Sequence, residues 1–468
     1  MSIVDPPGYV ASVLRQLADN GYAAYLVGGC VRDSVMGRGV SDWDIATSAT
    51  PTEVTAIFPK TVLTGEKYGT VTVLSGEEAV EVTTFRADGA YVDGRRPESV
   101  EFGCSIKQDL SRRDFTVNAM AATSDGEIMD PFGGRNDIQG RIIRCVGNPN
   151  MRFQEDALRM FRAYRFCAQL GFSIKPATIR AIYANADRAG AVSAERVRVE
   201  VEKTLMSERP ETVGQMIEAG LLDRYLAQQA ALALQAMRAL QAEAALRAKR
   251  ALWAKQTIQL VVKPGMLERI AALPEEPVVR WCALCAVLLE TRSIASASAF
   301  LRGMRLDTKT TRVCSNALSI PSFPEDRIKI KRFLAKYGEE TARCAAAVAD
   351  ALDTGQESVA GQEGAAERGD AAGRGYAAER GDTTGQESVA KRAHLAKVEE
   401  IVTSGECFSL RMLAVKGRDL IAQGHPPGKE LGATLSNLLA HVIEHPEDNV
   451  KEILLEIAEG DGYIWTRN

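Results

Sequence analysis

Asp42 and Asp44 stand one residue apart in "SDWDIAT", shortly after "YLVGGCVRD", where Gly28 and Gly29 precede Arg32 and Asp33. On a β-strand alternate side chains share a face, so the two carboxylates point one way while Trp43 and Ile45 turn into the core. A helix would splay the same pair roughly 200° apart, since each residue turns about 100°. Two neighbouring carboxylates suit a divalent cation, whose hard charge prefers oxygen ligands. The preceding "LVGGCVRD" reads as a strand entering Gly-Gly and then a helix that starts near Cys30. Glycines let the backbone approach a phosphate, and the first turn of a helix offers free N–H donors. A phosphate seat beside metal-binding carboxylates points to phosphoryl or nucleotidyl transfer. Alone, a D-x-D is ordinarily a turn or a solvated edge, and Gly-Gly a tight turn; their joint occurrence with Arg32 and Asp33 between them carries the weight. A third acid, Glu81 in "AVEVTTFR", reads as the middle of an apolar strand, where an unpaired charge is costly. A role at the metal or in positioning water, and a salt bridge, are both open to it.

Positioning those side chains takes a mixed head. Up to residue 147, "AAYLVGG", "SDWDIAT", "GTVTVLSG" and "AVEVTTF" read as strands, with "PPGYVASVLRQLADNG" and "TPTEVTAIF" as helices. From "RFQEDALRMFRAYRFCAQLG" onward the pattern is helical and Ala-rich, most plainly in "LAQQAALALQAMRALQAEAALRAKRALWAK". In residues 354–390 TGQESVA and AAERGD each occur twice, and this Gly, Glu, Gln and Ser content buries too little apolar surface to fold. The expected class is α+β: a catalytic head of mixed sheet and helices over 1–147, a helical neck over 148–207, a helical body over 208–353, a low-complexity linker over 354–392 and a helical tail over 393–468.

Composition narrows the chemistry further. The chain has 468 residues, 46% of them hydrophobic, enough for two to four domains with cores of their own. No apolar stretch is long enough to span a membrane, and "MSIVDPPGYV" lacks the regions of a signal peptide, so a cytoplasmic protein with no membrane partner is expected. The nine cysteines have no metal-ligand spacing; Cys282 and Cys285 sit in the apolar run "RWCALCAVLLE" and read as buried free thiols. All four histidines (His394, His425, His441 and His445) fall late in the chain, so residues 1–393 have no histidine base, nucleophile or metal ligand. A formal net charge of −4 argues against a protein that is basic all over, yet residues 141–209 carry thirteen Lys or Arg against seven Asp or Glu.

The stretch "LVGGCVRDSVMGRGVSDWDIAT" resembles the signature motif of the class II tRNA nucleotidyltransferase and bacterial poly(A) polymerase family, whose head has a polymerase-beta-like nucleotidyltransferase fold. "DLSRRDFTVNAM" (109–120), "DPFGGRNDIQGRIIRCVG" (130–147), "EDALRMFRAYRF" (155–166) and "SAERVRVEVEK" (193–203) resemble the family's further motifs in order, and the tail resembles the C-terminal helices of bacterial CCA-adding enzymes. The resemblance implies that Asp42 and Asp44 hold Mg²⁺ for in-line attack by an RNA 3′-hydroxyl on a nucleotide α-phosphorus. It implies that Gly28, Gly29 and Arg32 cradle the triphosphate, and that Arg113, Asp114 and Asn118 contact ribose and phosphates. Asp156 and Arg159, three apart on an expected helix, stand side by side. By spacing alone they are a surface ion pair; the resemblance implies that they imitate a base edge and select cytosine and adenine. Arg162 and Arg165 continue the strip toward triphosphate or RNA.

The expected activity is CCA addition to the acceptor end of tRNA from CTP and ATP. "RADGAYVDGRRPESVEF" (86–102) resembles a loop that CC-only enzymes lack, and no His-Asp phosphohydrolase signature is present. A-adding enzymes, poly(A) polymerases and an inactive binder of tRNA ends are the alternatives. Tyr68 stands where relatives often place histidine.

Overall fold

The computed structural model describes residues 4–65, 68–89, 99–227, 267–352 and 393–460. The chain divides into two compact units, residues 1–261 with 303–305 and residues 262–302 with 306–468. The Ala-rich helix expected at 226–255, beyond its first two residues, the repeats of 354–390 and the centre of the 86–102 loop lie outside the described residues.

The first unit opens with α1 (Gly8–Asp19), whose buried Val10, Val13, Leu14 and Leu17 follow the i, i+3, i+4, i+7 spacing of an amphipathic helix. Then come β1 (Ala24–Val27), α2 (Gly29–Val35), β2 (Asp44–Thr47), α3 (Pro51–Ile57), β3 (Thr61–Gly65), β4 (Thr70–Ser75) and β5 (Glu78–Thr84). Thr50 and Glu53 form a capping box on α3, with Pro51 at its first position. A two-stranded ladder of β6 (Arg86–Asp88) and β7 (Val100–Phe102) precedes α4 (Ile106–Ser111), β8 (Ala121–Ala122) and β9 (Ile128–Met129).

Seven of these strands make one mixed sheet in the order β3-β4-β5-β2-β1-β8-β9. Among the described residues of this sheet, only β2 and β5 pair in parallel; this brings Asp44 opposite Glu81. Leu26, Ile45, Val71, Val73, Val80 and Val82 point into a core shared with α1 and α3. Val27, Ala46, Phe85 and Ala121 face the other way, toward Ile106 and Leu110 of α4. Asp44, two residues before Ala46, is on that second side.

The sheet corrects one expectation. The ladder of β1 and β2 runs from Ala24↔Thr47 to Val27↔Asp44 and stops, because Gly28 leaves the strand at φ 80°. Without a partner, Asp42 and Trp43 lie before β2 and not within it; Trp43 still packs partly buried against the core.

After α5 (Gly134–Gln139) and β10 (Ile142–Ile143), which pairs in parallel with β11 (Ser173–Ile174), the first unit becomes helical: α6 (Pro149–Glu155), α7 (Leu158–Leu170), α8 (Pro176–Asn185), α9 (Ala194–Leu205) and α10 (Thr212–Glu218). α7 packs along α9.

The second unit is helical throughout its described residues, with Pro277–Glu290, Thr308–Leu318, Arg327–Tyr337, Glu339–Leu352, Ala393–Thr403, Lys429–Glu444 and Lys451–Gly460 as its main segments. The expected buried thiols are there: Cys282 and Cys285 are fully buried, and burial raises the pKa of Cys285 well above that of a free thiol. Asp350 accepts the N–H groups of His394 and Leu395 at 3.0 Å each, so the chain before residue 353 and after residue 392 meets. No helix among the described residues is long and apolar enough to cross a membrane.

Candidate active site

A cleft of about 700 Å³ in the first unit is lined by Gly28, Gly29, Arg32, Asp42, Asp44, Arg113, Asp114, Asn118, Asp156, Arg159, Arg162 and Arg165, twelve of the thirteen residues singled out in the sequence. Asp33, Ser41, Arg112, Leu158, Phe166, Gln169 and Arg196 complete the lining. Seven arginines meet five aspartates here. Since a guanidinium stays protonated at any physiological pH, the cleft is a fixed array of hydrogen-bond donors suited to a polyanion.

The floor is the junction of β1, α2 and β2. A Cβ on Gly28 would stand 3.0 Å from Arg113 Nη1 and 3.8 Å from Asp44 Oδ2, and the backbone there is left-handed, so only glycine combines that φ with that approach. Arg113 has a buried Nε with no hydrogen-bond partner among the described residues and a long ion pair, 3.4 Å, with Asp109. Burial raises the Asp44 carboxyl above its usual range, Glu81 adds to that, Arg113 opposes it and Asp42 raises it again. Like charges held together in this way are relieved by a cation. No three His, Cys, Asp or Glu side chains among the described residues gather as a ready metal cage. Mg²⁺ needs none, because it keeps waters and takes substrate phosphates beside one or two carboxylates. The carboxylate pair Asp42 and Asp44 therefore fits a hard divalent ion.

Glu81 is the exception among the thirteen. β5 alternates Val80 and Val82 inward with Glu81 outward, so its carboxylate is exposed and no buried-charge penalty applies. It does not line the cleft; its link to the site is its place beside Asp44 and its effect on that carboxyl.

The walls are ion pairs. Arg32 grips Asp33 with Nε and Nη2 at 2.9 and 2.8 Å and donates Nη1 to Asn118 Oδ1 at 2.6 Å. Arg162 donates Nε to Asp114 at 2.7 Å. Asp114 is buried, which by itself would raise its carboxyl, but Arg162, Arg159 and the Phe115 N–H hold it down at about 2. Arg165, itself buried, pairs with the buried Glu200 at 2.5 Å, so it braces α7 against α9 and is less open to a ligand than the sequence suggests.

The Asp156–Arg159 pair also differs from expectation. The helix breaks between α6 and α7, Asp156 is extended (φ −150°, ψ 107°), and its Oδ1 accepts the Leu158 N–H at 3.0 Å. A short acid competes with the helix for its own backbone in this way. Arg196, forty residues on, holds Asp156 at 2.6 Å, while Arg159 pairs with Glu155 at 2.5 Å and donates to the Arg112 carbonyl at 3.0 Å. The two side chains line one cleft without forming the helical pair that their spacing suggested.

Arg112, Arg196, Phe166 and Gln169 are residues that sequence reasoning missed. The first three lie inside the stretches "SRRD", "SAERVRVEVEK" and "AYRF", so motif membership was the available signal. Tyr68 does not line the cleft; its carbonyl accepts from Arg86, whose guanidinium is 5.8 Å from its ring.

Family models match this chain in three places: the "Poly A polymerase head domain" over 24–144, the RNA and SrmB-binding site of polymerase A over 171–232, and "tRNA nucleotidyltransferase domain 2" over 383–458. A crystal structure of the Bacillus stearothermophilus CCA-adding enzyme, in complex with CTP, is 31% identical with a TM-score of 0.66, covering 97% of this chain and 98% of that one. The chain belongs to the class II tRNA nucleotidyltransferase and poly(A) polymerase family. Within the family, the CCA-adding enzyme of Geobacillus thermodenitrificans is 56% identical over 193 residues, 41% of this chain and 48% of the relative. The chain thus spans about half the length of the curated relatives it matches. The Thermotoga maritima CCA-adding enzyme complexed with tRNA, 19% identical with a TM-score of 0.57, shares the fold. The α+β head followed by helices is the architecture of this family.

Proposed function

We propose that the protein is a template-independent CCA-adding tRNA nucleotidyltransferase, which extends the tRNA 3′ end with C, C and A from CTP and ATP and releases pyrophosphate. The carrying observation is the convergence of Asp42, Asp44 and seven arginines on one cleft. The relative of 31% identity, whose structure is a complex with CTP, supports the nucleotide class.

Asp42 and Asp44 would hold Mg²⁺, which supplies charge neutralisation at the phosphates and a more acidic 3′-hydroxyl. Gly28 keeps the floor open to the phosphates, with Arg113 facing that opening. Arg32 and Arg162, each pinned by a carboxylate, present their remaining donors to the triphosphate. Asn118 spans Arg32 and Asp114 and is suited to the ribose. Glu81 acts on Asp44 and not on substrate. For base choice, Asp156 accepts from the exocyclic amine of cytosine or adenine and Arg159 donates to a ring acceptor, each already oriented by Arg196 or Glu155. Uracil and guanine present a carbonyl where the amine should be, which leaves the carboxylate facing an acceptor.

The RNA partner is assigned to the exposed cations Arg141, Lys175, Arg180 and Arg188 of the 141–209 segment, which are positioned for phosphates more than for base edges. In the division of labour that we propose, the head at 1–147 is catalytic, the neck at 148–207 selects the base, the body at 208–353 and the tail at 393–468 bind the RNA, and 354–392 is a linker between them.

The test supplies Mg²⁺, CTP and ATP with tRNA transcripts ending at the discriminator base, at C and at CC, and resolves products on a sequencing gel. Three nucleotides on the shortest transcript, and no more, is the expected result. Extension of the CC-ended transcript alone would make the protein A-adding, and long A tracts on unrelated RNA would make it a poly(A) polymerase. No extension at all would leave a binder of tRNA ends.

A further inference from the structure

Phe166 has no donor, acceptor or charge, and yet three of the seven cleft arginines converge on it. The guanidinium carbons of Arg165, Arg162 and Arg32 lie 3.9, 5.2 and 5.4 Å from its ring centroid. Arg32 comes from α2 in the head, while Arg162 and Arg165 come from α7, so the ring is where two elements of the cleft bring their cations together. The ring is itself buried and wedged edge-on against Phe115, with centroids 5.8 Å apart at 79°. Its position is therefore set by the core, not by the arginines.

Three fixed positive charges around one point repel each other, and each has a separate carboxylate: Asp33 for Arg32, Asp114 for Arg162 and Glu200 for Arg165. Those carboxylates fix one edge of each guanidinium. The negative face of an aromatic ring attracts cations within about 6 Å, most strongly where water is excluded. An aliphatic side chain of similar volume offers the same burial without that attraction.

We propose that Phe166 is a positioning residue: its ring anchors the guanidiniums of Arg32 and Arg162 in the geometry that receives the triphosphate of the incoming nucleotide. The inference rests on reading the cleft as a nucleoside triphosphate site. With no polar atom to offer a phosphate and three guanidiniums on its face, the ring acts through the arginines. It contributes to triphosphate binding equally in the ground and transition states, which moves KM and leaves kcat in place.

Phe166→Leu keeps an apolar side chain and removes the ring. Phe166→Tyr keeps the ring. Phe161→Leu removes a fully buried ring from the same helix, with no guanidinium over it among the described residues, and serves as the core control. The measurements are KM and kcat for CTP and ATP, the inhibition constant of inorganic tripolyphosphate, and the melting temperature of the full-length protein. Phe166→Leu is expected to raise both nucleotide KM values and the tripolyphosphate constant by about tenfold with kcat within about twofold, a size between an exposed and a fully desolvated cation–π contact. Phe166→Tyr should restore tripolyphosphate affinity, and Phe161→Leu should lower the melting temperature with the tripolyphosphate constant unchanged. In an Arg32→Met background the effect of Phe166→Leu should shrink, since one of its two partners is gone. If Phe166→Leu leaves the tripolyphosphate constant unchanged, or if Phe161→Leu raises it equally, the ring is core filling and the proposal is overturned while the cleft's reading stands. If the unaltered protein binds neither tripolyphosphate nor CTP, the reading of the cleft falls first and the proposal with it.

Discussion

The two units place their charges in opposite ways. In the first, carboxylates and guanidiniums are buried together: Arg165 and Glu200 are 9% and 7% exposed, and Asp114 is 8% exposed. In the second, several pairs lie at the rim: Lys309 and Glu340 are 66% and 43% exposed, and Arg327 and Glu400 are 43% and 65% exposed. Its helix Pro277–Glu290 is mainly apolar, with Trp281, Cys282, Leu284, Cys285 and Val287 all fully buried, and its few buried cations, Arg280 and Lys331, are held by the Leu273 and Pro274 carbonyls and by Glu406. Desolvating a charge is costly, and a paired buried ion often does no better for stability than a hydrocarbon of its shape. A unit without that cleft has less reason to gather charges inside. A unit that must hold phosphate beside metal-binding acids gathers charges and then neutralises them one by one with partners.

The contrast is sharpest at the acids that no partner neutralises. Asp44→Ala should reduce nucleotide addition by ~10³-fold or more, as expected when a metal ligand is lost. The melting temperature should change little, and a variant that keeps its activity would remove Asp44 from the chemistry. Breaking a neutralised pair should do the reverse. Glu200→Ala leaves Arg165 buried without its acid and should cost ~3 kcal/mol, read from denaturant unfolding. Full stability in that variant would put the bracing of α7 on α9 in doubt.

Asp114 extends the comparison to pH. Its folded pKa of about 2 lies below the unfolded value near 3.9, so its pairing stabilises the fold above about pH 4 and is lost as pH falls through 2. The loss should be on the order of 2 kcal/mol. Acid unfolding followed at several pH values in the protein and in Asp114→Asn should show a shallower acid slope in the variant.

Glu81 gives a smaller effect with a definite sign. Its charge helps to raise the Asp44 carboxyl, so Glu81→Gln lowers that pKa and should move the acid limb of the pH–rate profile to lower pH. A limb that stays in place would separate Glu81 from Asp44. Smallest of all, Lys309→Ala at the rim of the second unit should change stability by no more than ~0.5 kcal/mol.

What could be read from the sequence was local. The strands β1, β2, β4 and β5, the helices α1 and α3 and the start of α2 near Cys30 follow from alternation, capping and glycine, which act over a few residues. Twelve site residues converge on one cleft: Gly28, Gly29, Arg32, Asp42 and Asp44 sit at or beside the ends of β1, α2 and β2, while the others come from the segment after α4, the break before α7 and α7 itself. What only the tertiary structure decided was pairing at a distance. Arg196 takes Asp156 across 40 residues, Arg162 takes Asp114 across 48 and Glu200 takes Arg165 across 35. Spacing alone offered Arg159 as the partner of Asp156, and it put Glu81 in an apolar interior that the alternation of β5 does not give it. A charge chooses its partner by geometry and desolvation once the chain has closed its long loops, and no local pattern records that choice.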